Sequence, residues 1–328
     1  MIIMSNKSLF NKTLIKKDLK ILTPIFITNI IILIFALPFS YSQAVLLLQS
    51  DSSRDFAKGV ASLYSSYNTL SINILVSTVT AIMLFALEKS SKSLELLVSL
   101  PFSRKQIYFN KIAVGFIVNV LPNIVLHLVS LFIILAEPMT KPFFNLDFFI
   151  IYFLNSIAMQ IVVFTYFVVI SLLFGNIFAT AFCGYVFTLM PIGLIVMIQT
   201  FLEDGIPSAS YEYLYNYTPF FILLKAFASD LGYLKLLGYS IVFIVMGMTL
   251  FEMTKMEKCS ELLTFRRTEI IFRAGVFICC AVFFSIFVQS IFVSFGPLSF
   301  LAKVVGFIVG GAFGFFIPNR AIIKSRAA

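Results

Sequence analysis

The stretch 87–111, LEKSSKSLELLVSLPFSRKQIYFNK, is a polar island between two long apolar runs, and its reading decides the rest of the chain. It carries five basic side chains, Lys89, Lys92, Arg104, Lys105 and Lys111. An island of this size is a joint between helices rather than a domain. Within it, LELLVSLP at 94–101 sets Leu94, Leu97 and Leu100 on one helical face, with Ser93 placed to cap the start and Pro101 to enforce the stop. SRKQ at 103–106 has capping-box spacing: Ser103 can accept from the backbone N–H of Gln106 while the Gln106 side chain reaches back. The pattern predicts a stubby helix over 93–102, lying across the ends of two spans and ringed by Lys89, Lys92, Arg104 and Lys105. Such a surface suits the docking of another protein.

The flanking runs belong to a membrane. Hydrophobic residues make up 60% of the 328 and charged residues 12%, and the mean hydropathy is +1.02. That balance lies outside the soluble globular range. A spanning helix needs roughly 20 mostly apolar residues. Eight candidates follow, at 21–42, 69–87, 112–136, 148–171, 177–201, 235–251, 274–295 and 298–318. No cleavable signal peptide is expected, because the first apolar run continues too long and lacks a small-residue cleavage site.

Charge placement gives the orientation. With a cytoplasmic N-terminus, the inner segments hold 18 of the 24 basic residues, and the outer segments hold eight of the 15 acidic ones. Lys and Arg gather on the cytoplasmic side of membrane proteins. Both ends are therefore expected inside, and the net charge of +9 is topological. No basic soluble domain exists to bind nucleic acid, so none is expected as a partner. The four cysteines, Cys183, Cys259, Cys279 and Cys280, have no metal-ligand spacing and read as reduced packing residues.

Three regions follow along the chain. Residues 1–20 can form an amphipathic helix on the inner membrane surface, with Lys12, Lys16 and Lys20 on one stripe; an ordinary basic flank accounts equally for the charge. Residues 21–254 hold six spans, and 255–328 add a mixed-charge segment and two further spans. Between spans five and six, FFILLKAFASDLGYLKLL at 220–237 can lie as an interfacial or re-entrant helix after the break at Thr218 and Pro219. In the last span Gly306, Gly310 and Gly314 recur every four residues, a spacing for close helix approach.

Catalysis has little to stand on. The one histidine, His127, lies in span three on a polar stripe with Asn119, Asn123 and Ser130, near Pro122. Asn155, Ser156 and Gln160 on span four are candidate partners. The stripe reads either as interhelical hydrogen bonding or as a polar patch along a substrate path. No acid, base or metal constellation points to an enzyme, no catalytic or metal-binding residue is assigned, and no carboxylate lies near a span centre to couple transport to protons. No GxxxxGK[ST] phosphate loop occurs. Energy for transport would have to enter from another polypeptide.

Here the opening stretch becomes more specific. An acidic residue ending span two, a leucine-rich LELLVSLP, then SR, then a lysine opening span three resembles the signature region of ABC-2 type transporter permeases. Those positions are Glu88, Leu94–Pro101, Ser103 with Arg104, and Lys111. TPFF at 218–221 also resembles that family's Ser-Pro or Thr-Pro element. The resemblance implies an all-α polytopic bundle: a six-span exporter core plus a C-terminal two-helix hairpin. It implies that 93–102 is a coupling helix, with Glu88, Leu94, Glu95, Leu96, Leu97, Leu100, Pro101, Ser103 and Arg104 transmitting the thrust of separate ATPase subunits. ATP and Mg would sit on those subunits, with no cofactor on this chain, and a second permease, identical or related, would complete the pair. Asn119, Asn123, His127, Asn155 and Gln160 would border the path of an amphipathic cargo such as a peptide antibiotic or a lipid-like molecule. The eight-span layout resembles a Gram-positive subgroup linked to antibiotic and cell-envelope stress, in the bacterial cytoplasmic membrane. A non-transporting scaffold or sensor that docks a cytoplasmic partner is the alternative.

Overall fold

The computed structural model describes residues 10–39, 41–42, 67–138, 141, 144–202, 218–254, 263–264, 268–292 and 298–327. The protein is an all-α, multi-pass membrane bundle. Its helices are α1 (Lys12–Ile34), running on through a π-helical turn at Phe35–Phe39, and α2 (Tyr67–Ala81), running through a second such turn at Ile82–Ala86 into Leu87–Ser90. Then come α3 (Ser93–Ser99), α4 (Arg104–Ala136), α5 (Leu146–Leu173), α6 (Ile177–Leu202), α7 (Pro219–Phe227), α8 (Gly232–Met253), α9 (Thr268–Phe292) and α10 (Leu298–Ala327). Eight of these are long and apolar enough to cross a membrane, namely α1, α2, α4, α5, α6, α8, α9 and α10. Each falls where the hydropathy of the sequence puts a span.

The chain forms two compact units. The first takes Met1–Leu172 and Lys225–Met253. In it α1 lies against α4 and α2, and α4 against α8. Leu33 of α1, Leu37 of its π-helical turn and Tyr41 beyond it, Leu126 and Ile134 of α4, and Phe149 and Tyr152 of α5 make a buried cluster. At the α4–α8 contact the absent side chain of Gly247 leaves room for the Tyr108 hydroxyl, which donates to the Ile244 carbonyl at 2.9 Å.

The second unit takes Leu173–Leu224 and Thr254–Ala328. Here α9 packs along α10, and α6 packs against α9. The glycine spacing of the last span does what its period predicts. A Cβ at Gly306 would lie 2.6 Å from the Phe284 carbonyl oxygen, and one at Gly314 2.8 Å from the Phe277 Cα. At Gly310 it would run into the Cys280 carbonyl oxygen. Small residues let two backbones approach this closely, and dispersion between them then holds the pair in lipid.

Two local expectations change. The segment 220–237 is not one helix: α7 ends at Phe227, a turn follows, and α8 starts its span at Gly232. Pro219 sits at the first helical position of α7, where its missing N–H costs nothing. The described part of the basic flank, Lys12–Lys20, forms the first turns of α1 without a break. Leu14, Asp18 and Leu22 continue one buried edge, so the flank packs as part of the span. Residues 1–9 of that expected surface helix, and Cys259, lie outside the described residues.

Candidate functional site

The polar island folds as a tight helical reversal. Lys92 takes the position before the first residue of α3 in a left-handed conformation, φ 58° and ψ 6°. Ser93 is therefore not the cap but the first helical residue, and its hydroxyl donates back to the Glu88 carbonyl at 3.3 Å. The reason is space: α2 reaches Ser90, and two residues must turn the chain before α3 begins. At the far end α3 stops at Ser99, short of the expected 102. Leu100 is extended ahead of Pro101, and Ser103 with Gln106 forms a complete capping box. The Ser103 hydroxyl accepts from Gln106 N at 3.2 Å, and Ser103 N donates to Gln106 Oε1 at 3.1 Å.

α3 has two sides. Leu94 and Leu97 are buried, whereas Leu96 is 72% exposed and Leu100 48%. Leu100 thus leaves the inward face that the spacing gave it, because the helix has already ended at Ser99. Lys92 and Lys105 are exposed beside the outward leucines. Lys89 does not join that ring; it is fully buried. Its Nζ donates to the carbonyls of Ser171 at 3.3 Å and Leu172 at 2.8 Å, at the end of α5. Those carbonyls have no partner within their own helix, and a lysine there satisfies them and the helix dipole together.

Beneath α3 lies a closed set of four charges. Lys111 of α4 is 2.8 Å from Glu88 Oε2 and 3.5 Å from Asp18 Oδ1. Lys17 of α1 is 2.7 Å from Glu88 Oε1 and 3.6 Å from Asp18 Oδ1. Lys111 Nζ also donates to the Leu84 carbonyl at 3.0 Å, within the π-helical turn of α2. Asp18, Glu88 and Lys111 are buried, and two positive charges balance two negative ones. The set ties α1, α2 and α4 at one level.

Arg104 and Lys105 of the island reach α8. Arg104 donates to the Glu252 carbonyl at 2.7 Å, at the end of α8. Its neighbour Lys105 lies 3.7 Å from the Glu252 carboxylate. Glu95 makes no ion pair among the described residues.

Farther along the spans, the polar stripe of α4 meets a polar stripe of α2. Ser77 donates to the Asn119 side chain at 3.4 Å and to the Gln160 carbonyl at 3.2 Å. Asn123 donates to Gln160 Oε1 at 3.0 Å, Gln160 to Asn73 Oδ1 at 3.4 Å, and Asn73 to Ser156 at 3.0 Å. The structure therefore joins Asn119, Asn123 and Gln160 through Asn73 and Ser77. Asn155 points elsewhere, donating to the carbonyls of Phe227 and Ser229 at 3.0 Å each. His127 Nδ1 sits 2.8 Å from the Asn123 carbonyl, its ring among Phe149, Tyr152 and Phe153. Ser130 bonds back to Leu126 of its own helix.

Pro122 explains one partner that sequence reading missed. Proline has no N–H for the carbonyl four residues earlier, and that carbonyl, on Val118, accepts instead from Asn29 of α1 at 3.2 Å. Asp18 was also missed, yet it had a signal: it is the one carboxylate in the first 50 residues.

Comparison with models of protein families, with curated proteins and with solved structures finds no match to this chain.

Proposed function

We propose that this chain is the membrane-spanning subunit of an ATP-driven exporter of the ABC-2 type, seated in a bacterial cytoplasmic membrane with both ends inside. Separate cytoplasmic ATPase subunits would bind ATP and Mg and dock on α3, and a second permease, identical or related, would complete the pair. The observation that carries this reading is the division of α3. Leu94 and Leu97 fasten it to the bundle, while Leu96 and Leu100 stay exposed between Lys92 and Lys105. Exposed leucines beside cations, in a turn between two spans, are what a protein partner would cover.

Thrust on α3 would pass into the charge set below it, which binds α1, α2 and α4. Closure of the ATPase pair would then tilt these helices together and shift the population between inward-closed and outward-open states. The Phe-rich, apolar spans suit an amphipathic cargo.

The test separates docking from folding. Leu96→Asp/Leu100→Asp changes only exposed side chains, so the purified subunit is expected to keep its stability and lose co-purification with its partner ATPase. A stable complex with normal coupled hydrolysis in that variant overturns the reading. Partner binding that is lost without any ATPase being involved supports the scaffold or sensor instead.

A further inference from the structure

α1 carries a second surface. Its exposed residues form one continuous stripe: Lys12, Lys16 and Lys20, then Thr23 and Pro24, then Ile27, Ile31 and Phe35. The stripe is cationic over its first turns and apolar over its last.

The acids near it face away. Asp18 and Glu88 are buried on the opposite edge and already balanced by Lys17 and Lys111. The hydroxyls between the two halves are also used, since Thr23 donates to the Leu19 carbonyl and Thr28 to the Pro24 carbonyl. Among the described residues nothing on α1 neutralises the three lysines.

Length places the stripe in the bilayer. The span Lys12–Phe39 has 28 residues, about 42 Å of helix, against a hydrocarbon core of about 30 Å. The excess of about 12 Å is about eight residues, which is the lysine-bearing part. Lysines at that level sit among headgroups, and the isoleucines below them lie along acyl chains.

We infer that the outer face of α1 binds an anionic phospholipid, its headgroup on Lys12, Lys16 and Lys20 and an acyl chain along Ile27, Ile31 and Phe35. Charge complementarity selects the lipid class, and the apolar lower half selects a lipid over a soluble anion. A flank that served topology alone would need three positive charges but no alignment with an apolar stripe.

The chain has no tryptophan, so Ile27→Trp gives a single reporter on the stripe. The full-length Ile27→Trp protein is placed in bilayers mixing phosphatidylglycerol with phosphatidylcholine, with one or the other brominated, and quenching gives their relative association. Preference for phosphatidylglycerol by about fivefold is expected, what one lysine near an anionic surface contributes. It should fall as NaCl rises from about 0.05 to about 0.5 M, where the screening length shrinks. Lys12→Gln/Lys16→Gln/Lys20→Gln should abolish the preference, and Lys12→Arg/Lys16→Arg/Lys20→Arg should keep it. Equal quenching by both lipids in the parent, a preference indifferent to salt, or one that survives the glutamine variant overturns the inference. Should the glutamine variant fail to fold, the salt dependence of the parent decides.

Discussion

Replacing Lys111 by methionine tests the four-charge set most directly. Lys111 is 1% exposed and lies 2.8 Å from Glu88 and 3.5 Å from Asp18. Methionine fills much of the same volume and removes the charge, leaving two buried carboxylates to share Lys17, itself 39% exposed. Removing one partner of a buried ion pair costs about 3–5 kcal/mol, because the other charge stays desolvated and unpaired. Lys17 touches both acids and can absorb part of the imbalance, so about 3 kcal/mol is expected. Glu88→Gln on top of Lys111→Met restores neutrality with Lys17 and Asp18 still paired. That double variant is expected to recover about 2 kcal/mol, a coupling within the range for residues in one network. Equilibrium unfolding of the purified chain in mixed micelles, with SDS as denaturant, measures all three proteins. A loss below about 1 kcal/mol for Lys111→Met, or strict additivity in the double variant, would refute the claim that these charges act as one unit.

Other substitutions probe the remaining contacts by the same unfolding measurement. Lys89→Met leaves the Ser171 and Leu172 carbonyls without their donor, and a loss of about 1–3 kcal/mol is expected. Leu97→Asp buries a carboxylate under α3 and should destabilise the subunit itself by more than about 2 kcal/mol, unlike the exposed Leu96→Asp/Leu100→Asp pair. In the terminal hairpin, Gly310→Ala must displace backbone of α9, whereas a Cβ at Gly311 meets side chains alone, the Phe277 ring at 3.2 Å and the Ala281 Cβ at 3.9 Å. Gly310→Ala is therefore expected to be the more destabilising, and equal stability of the two variants would contradict the packing described.

Spans were legible because twenty apolar residues in a row leave a chain few alternatives. The capping box at Ser103 was legible for a related reason: both partners lie within four residues, so local spacing settles the geometry. Ser93 failed as a cap because the left-handed turn at Lys92 depends on where α2 stops. Charges divided in the same way. Counting lysines gave an orientation but treated every cation as solvated, and Lys89 and Lys111 are buried. Their burial depends on the end of α5 and on Asp18, about 80 and 90 residues away in sequence, and no period or motif records such a meeting. The polar stripe of α4 was visible at its own spacing, while its neighbours Asn73 and Ser77 lacked a motif. Asn29 could have been sought from Pro122, since a proline within a span announces an acceptor in need of a donor.

That last contact has a consequence for inheritance. Asn29 and Pro122 stand 93 positions apart and belong to different helices, yet the first makes the second tolerable. Were Pro122 replaced by alanine, the amide of residue 122 would share the Val118 carbonyl with Asn29, since a carbonyl oxygen accepts two hydrogen bonds. Were Asn29 replaced by leucine, the carbonyl would be the orphan. Loss of Asn29 ahead of Pro122 crosses a disfavoured intermediate whereas the reverse order does not, so descendants of this chain that keep Pro122 should keep Asn29, and a collection of its relatives would display a one-way dependence.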